Sequence, residues 1–237
     1  MEAATAEPSI ATLQLIALLT LHSLLDPRSG NIGQHIRLAV RLLIGLIDND
    51  ASEISPTLWA LYPIIYIIEN QVATALDRPN TLPEPFEPID FSESNSTNFL
   101  CSLYRLQSRF RNKVSTDTLH LIQDALATLD LNATSKSINP NIVAAVLETQ
   151  LLLEPSSAVA IRLLESYTNT QCIATFVTPH WIFRAGVVVK SAFDTSEKMT
   201  ASELLGSFGL AVSLLTQMAL RWPSAGIMAD SIIRNSA

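Results

Sequence analysis

Apolar residues recur at helical spacing along almost the whole chain, and no alternating run of strand character extends beyond a few residues. That periodicity leaves an all-α fold as the expectation, a bundle of about nine to ten helices. Only seven glycines occur in 237 residues, so tight backbone turns are scarce, as suits helices more than a sandwich or barrel. The twelve prolines fall mostly between periodic stretches and mark where helices stop or start. The length suits a single domain spanning 1–237, or two closely packed helical halves.

Individual helices can be placed from these signals. A first helix is expected from about Pro8 to Leu25, ended by Asp26-Pro27. A second carries Ile36, Ala39, Val40, Leu43, Leu46 and Ile47 on one face. The third opens with Ser55 as N-cap and Pro56 at the first helical position and runs to about Leu76, with Pro63 expected to bend it. Residues 77–97 then form one long proline-rich connection, a strap laid over the surface or serving a function. Further helices are predicted over about Asn98–Lys113, Thr116–Leu129, Pro140–Leu153, Ser156–Phe176 and Thr178–Phe193. Thr200-Ala-Ser-Glu203 is a capping box ahead of a stripe of Phe208, Val212, Leu215, Ala219 and Trp222, and a short helix closes the chain.

Composition also excludes function classes. A net charge of −7 disfavours phosphate contacts, so direct nucleic-acid binding is not expected. The apolar stretch from Ile10 to Leu25 is interrupted by Gln14, Thr20 and His22. It falls short of the roughly 20 apolar residues that span a bilayer. Its flank is acidic where a secretory signal would be basic. These features predict an intracellular protein, of cytoplasm or nucleus, with no membrane role. Cys101 and Cys172 read as free thiols in a reducing compartment, with a disulfide or a catalytic thiol as the alternatives. The histidines at 22, 35, 120 and 180 lack metal-ligand spacing, and no phosphate loop or nucleophile elbow occurs, so neither a metal nor a cofactor is expected.

Two constellations of polar groups on apolar helices remain. Trp59, Tyr62, Tyr66, Glu69 and Ala73 share one face of the third helix. A carboxylate there must meet a partner or take up a proton, and Arg105 and Arg109, on one face of the next helix, are plausible partners. This group is either a structural ion-pair network or the floor of a pocket in which aromatics hold an apolar ligand while Glu69 and an arginine orient it. The second constellation is His180, Trp181 and Arg184. A histidine near a helix N-terminus is held neutral by the helix dipole and can act as a base, although a capping turn with a stacked arginine explains the same residues.

Several segments resemble a known family. Ser29-Gly30-Asn31-Ile32 leading into His35-Ile36-Arg37-Leu38-Ala39-Val40-Arg41 is similar to the helix pair opening the regulatory (middle homology) domain of fungal binuclear-zinc-cluster transcription factors. Leu58-Trp59-Ala60-Leu61-Tyr62, Ala75-Leu76-Asp77-Arg78-Pro79 and Leu82-Pro83 resemble that family's Trp helix, Gly-Arg-Pro turn and proline-rich strap. Tyr104-Arg105-Leu106-Gln107-Ser108-Arg109 resembles the next helix, and Met218-Ala219-Leu220-Arg221-Trp222-Pro223-Ser224-Ala225 the C-terminal helix and turn. Asp77 stands in the place of the family's glycine, which implies a negative φ or an altered turn. Glu69-Asn70 replaces an Asp-Arg pair, and the six-cysteine cluster that reads DNA is absent.

The resemblance implies a stand-alone regulatory domain linked to secondary metabolism, binding a small apolar molecule, a protein partner or a second copy of itself without touching DNA. The alternative is a cofactor-independent natural-product enzyme (a cyclase, pericyclase, dehydratase or isomerase) working inside the helical pocket, with Glu69 and His180 as its acid and base. In either reading Trp59, Tyr62, Tyr66, Arg105, Arg109, Trp181 and Arg184 would line the ligand site.

Overall fold

A computed structural model describes residues 9–26, 31–49, 55–85, 89–91, 97–113, 120, 139–193 and 199–234. Every regular element among them is a helix. In chain order these are α1 (Ile10–Leu25), α2 (Ile32–Asn49), α3 (Pro56–Ala75), α4 (Thr97–Arg111), α5 (Pro140–Leu153), α6 (Ser157–Ser166), α7 (Thr178–Ser191), α8 (Ala201–Ala219) and α9 (Pro223–Arg234). The helix expected over Thr116–Leu129 lies outside the described residues, apart from His120. The chain forms two compact units, 1–88 and 89–237.

In the first unit α1 packs on α2 and α3, and α2 packs on α3. Leu13, Ala17 and Leu24 of α1 meet this core at i, i+4 and i+11, joined by Ile36, Ala39, Val40 and Leu43 from α2. A polar tie links the two helices inside the apolar contact, where Ser23 Oγ lies 2.9 Å from His35 Nδ1. α3 is buried over most of its length, as a helix apolar on nearly every side must be. It runs on through Pro63, whose ring nitrogen cannot donate to the turn before it. Ser55 is its N-cap, but only the Ser55 carbonyl is engaged, accepting from Leu58 and Trp59 N–H.

The end of α3 corrects an expectation. Asp77 has φ 49°, the left-handed conformation, and does not avoid it. Arg78 N–H reaches back to Ala73 C=O at 2.8 Å, which closes the six-to-one bond of a Schellman motif around Asp77. The turn geometry is that of a glycine C-cap with an aspartate in it. Asp tolerates this region better than most residues because its short side chain bonds locally, but it still carries the Cβ penalty.

In the second unit each helix packs on its successor from α4 through α9, and α7 also meets α9. Phe91, Phe99, Leu103, Leu106, Ile142, Ala145 and Val146 form the core between α4 and α5. Phe91 and Phe99 meet edge to face at 5.5 Å there. Asn139 caps α5 ahead of Pro140, and Thr200 and Glu203 close a capping box on α8, both as the residue types predict. Gly186 lets α7 approach its neighbours, since a Cβ there would lie 2.9 Å from Ile232 Cδ1 and 3.1 Å from Ala211 Cβ.

One predicted helix is too long. The stretch Ser156–Phe176 is helical only to Ser166, and turns follow. The cause is the polar run Thr168-Asn169-Thr170-Gln171. Thr168 Oγ1 donates to Glu165 C=O at 2.7 Å, and Asn169 Oδ1 accepts from Gln171 N–H at 2.9 Å. Local side-chain bonds of this kind compete with the helical ladder and win where no apolar face holds the helix down.

Replacing Asp77 by glycine should stabilise the protein by about 1 kcal/mol, because the left-handed position then loses its Cβ penalty. Urea denaturation measures this, and a midpoint unchanged or lowered in Asp77→Gly would contradict the assigned turn.

Candidate functional site

Two buried polar clusters stand out, one in each unit, and the first contains the face singled out on α3. Glu69 is 6% exposed, and both carboxylate oxygens are engaged by the strap. Oε1 accepts Thr81 N–H at 2.7 Å, and Oε2 accepts Leu82 N–H at 2.9 Å. A neighbouring hydrogen bond runs from Asn80 Nδ2 to Oδ1 of the fully buried Asn70, whose own Nδ2 donates to Tyr66 C=O at 2.9 Å. Seven residues before Glu69, Tyr62 donates its hydroxyl to Pro83 C=O at 2.9 Å.

The α3 face therefore holds residues 80–83. The prolines of the strap keep it extended, and an extended chain cannot satisfy its own backbone groups, so the helix does it. Charge-assisted bonds to backbone N–H are worth roughly 1.5–3 kcal/mol each, enough to offset much of the cost of burying the carboxylate. Tyr66 is buried at the centre of this face. Trp59 stands at its exposed end with its ring 6.2 Å from that of Tyr62. Arg105, buried, and Arg109, half-buried, belong to α4 in the second unit.

The second cluster was not singled out in the sequence. Glu148 of α5 accepts the Tyr167 hydroxyl at 2.5 Å. Burial pushes the Glu148 carboxyl up to about 7, although the Tyr167 bond pulls in the other direction. Burial also drives the Tyr167 phenol well above its usual range, and the Glu148 charge, with smaller effects from Cys172 and Tyr104, adds to this. The Cys172 thiol is pushed up to about 11, first by burial and then by Glu148.

Both cysteines are free thiols. A thiol held near 11 is protonated at neutral pH, which argues against Cys172 as a nucleophile. Beside this group Gln107 Nε2 donates to Thr149 Oγ1 at 2.8 Å, and Thr149 Oγ1 donates to Ala145 C=O at 2.7 Å. Gln107 Oε1 is buried and meets no hydrogen-bond partner among the described residues.

The break after Ser166 assembles this cluster. It brings Tyr167 back over α5 and lets Ile173 N–H bond Asn141 Oδ1 at 2.8 Å. Asn141 and Glu148 are seven residues apart, so the 167–173 turn is fastened to one face of α5 at two points. The signal available in the sequence was a lone carboxylate in the apolar run Val143–Leu153, the same signal that singled out Glu69.

The His180 constellation is partly as expected. Its imidazole is shifted down, toward the neutral form, and the cause is burial. The ring lies 5.7 Å from that of Phe176, and Nε2 is buried without a hydrogen-bond partner among the described residues. Trp181 is buried and carries the Arg184 guanidinium 5.6 Å from its ring centre, which is the stacked arginine of the structural reading.

Among the described residues no group of three His, Cys, Asp or Glu side chains could hold a metal ion, and no helix is long and apolar enough to cross a membrane. No protein-family model, curated protein or solved structure matches the chain.

Glu148 sets a pH dependence. Between the ordinary carboxylate value of 4.5 and about 7 the folded state keeps a proton that the unfolded state has released. Its contribution is therefore full below 4.5 and is lost as pH rises through 7, up to about 3 kcal/mol. His180 acts in the opposite direction, since its neutral form favours the fold above the usual imidazole range. Glu148→Gln keeps an acceptor for Tyr167 and removes the proton. Urea titrations at pH 5 and pH 8 should show the variant gaining on the wild type at pH 8, and parallel pH profiles for the two proteins would refute the assignment.

Proposed function

We propose that this chain is a regulatory-domain-like helical protein that binds a small apolar molecule or a protein partner and does not contact DNA itself. What favours this reading over catalysis at Glu69 is how that residue is engaged. The one acid on the aromatic face of α3 has both oxygens committed to Thr81 and Leu82 N–H, so it serves the strap and is not free to orient or protonate a substrate. The resemblance to the fungal transcription-factor regulatory domain supports the same reading and suggests a link to secondary metabolism. The net charge of −7 argues against direct DNA contact by this chain.

A second reading, cofactor-free chemistry on a natural product, is favoured by one observation. Glu148 is a buried carboxyl poised near neutral pH and hydrogen-bonded to a phenol, which is the condition a general acid needs. The acid of such an enzyme would then be Glu148, with the neutral His180 as a base.

One experiment separates the readings. The purified protein is incubated with an organic extract of a strain deleted for its gene, then desalted, and both bound and free fractions are read by mass spectrometry. The binding reading expects a compound retained by the protein and recovered unchanged. Conversion of a compound, abolished in Glu148→Gln or His180→Ala, would overturn it in favour of the enzyme.

A further inference from the structure

The turn from Tyr167 to Ile173 is held by polar bonds more than by packing. Thr168, Asn169, Thr170, Gln171 and Ile173 are all exposed, Ile173 by 60%, so the turn buries little apolar surface. Within itself it is well tied. Asn169 N–H bonds Ser166 C=O at 3.2 Å, and Asn169 accepts Gln171 N–H on Oδ1 and Cys172 N–H on its carbonyl, both at 2.9 Å. Segments with few buried apolar contacts open before the rest of a fold, and internal bonds let this one move as a body.

Its two ends are anchored. Helix α6 stops at Ser166, and by Thr175 the chain has joined the start of α7, where Thr175 N–H bonds Thr178 Oγ1 at 2.9 Å. Between these points two bonds fasten the turn to α5, Tyr167 hydroxyl to Glu148 and Ile173 N–H to Asn141 Oδ1. One of the two fastenings is therefore an ionisable group, and it is only 9% exposed.

A carboxyl in that place ties the attachment to its proton. Protonated, Glu148 can stay inside. Ionised, it has lost its water, and a single phenol replaces little of that hydration. Lifting the turn rehydrates the charge at less cost than unfolding α5, because the turn has the least apolar surface to expose.

The other ionisable groups around Glu148 do not supply a compensating charge. The turn adds the Cys172 thiol, and α5 itself carries no second ionisable side chain. On α6, Arg162 and Glu165 are exposed. Helix α4 carries Cys101, Tyr104, Arg105, Arg109 and Arg111, of which Tyr104 bears on the Tyr167 phenol. The Glu148 shift arises from burial and the Tyr167 bond, with no cation among its causes.

We propose that the Tyr167–Ile173 turn is a pH-operated latch, lying on α5 while Glu148 holds its proton and lifting off when the proton leaves. Opening uncovers the Glu148 carboxyl and the Cys172 thiol beside it. The closed carboxyl is pushed up to about 7 from an ordinary 4.5, so opening favours release of the proton. The latch is closed most firmly below 4.5 and loses that advantage as pH rises through 7. This inference goes beyond the function proposed above and holds under either reading of it.

Amide hydrogen exchange of the full chain, read by NMR and divided by the intrinsic rate at each pH, tests it. Ile173 N–H reports the fastening to Asn141. Its opening should rise by about 40-fold between pH 5 and pH 7, the difference between release near 4.5 when open and near 7 when closed. Over the same range Leu147 and Leu151 of α5 should exchange at least about tenfold more slowly than Ile173. In Glu148→Gln the Ile173 value should be flat with pH. Tyr167→Phe keeps the acid and removes its donor, so at pH 7 Ile173 should exchange about tenfold faster than in the wild type. A pH-independent Ile173 in the wild type, or the same rise in Glu148→Gln, would overturn the latch. So would Ile173 exchanging in step with Leu147 and Leu151, which is unfolding of the whole unit. If Glu148→Gln does not fold, Tyr167→Phe decides alone, and exchange at the wild-type rate overturns the proposal.

Discussion

A carboxylate buried in an apolar helix has to be satisfied, and the way Glu69 is satisfied organises the first unit. Its two oxygens take the N–H groups of Thr81 and Leu82, so the chain leaving α3 must turn at once and lie back along it. The Schellman turn at Asp77 makes that reversal, at the cost of a left-handed aspartate. The Tyr62 bond to Pro83 and the Asn70–Asn80 pair extend the same attachment on either side. Each bond is modest. Together they hold a proline-rich segment that has no regular structure of its own to pay for its backbone groups.

The second unit meets the same requirement differently. Among the described residues Glu148 meets one phenol and no pair of backbone donors, and burial pushes its carboxyl up to about 7. The contrast separates the two acids by role. The geometry of Glu69 makes it structural, whereas Glu148 keeps a proton that can be exchanged in the range where cells operate.

Much of this was legible in the residues. The prolines, the capping pairs at Asn139 and Thr200 and the helical apolar period located the described helices, because local chemistry decides helix ends. The stripe Tyr62–Tyr66–Glu69 and the 77–97 connection were both visible, but their attachment was not. Spacing shows that two groups share a helix face, not that a strap folds back thirteen residues later to meet it. The Glu148 cluster was missed because it depends on a helix that stops at Ser166. Thr168 and Asn169 signalled that stop, yet the apolar residues on both sides suggested continuity. Asp77 misled for the opposite reason: its residue type argued against positive φ, and the bond from Arg78 N–H to Ala73 C=O required it.

The central claim, that Glu69 serves the strap and not a ligand, is tested most directly by amide hydrogen exchange at Thr81 and Leu82. Both amides should be protected in the wild type although Thr81 is exposed. In Glu69→Gln, which retains a single acceptor oxygen, at least one of them should exchange tens of times faster while the amides of α3 exchange as before. Rapid exchange of both amides in the wild type, or equal protection in the two proteins, would contradict it.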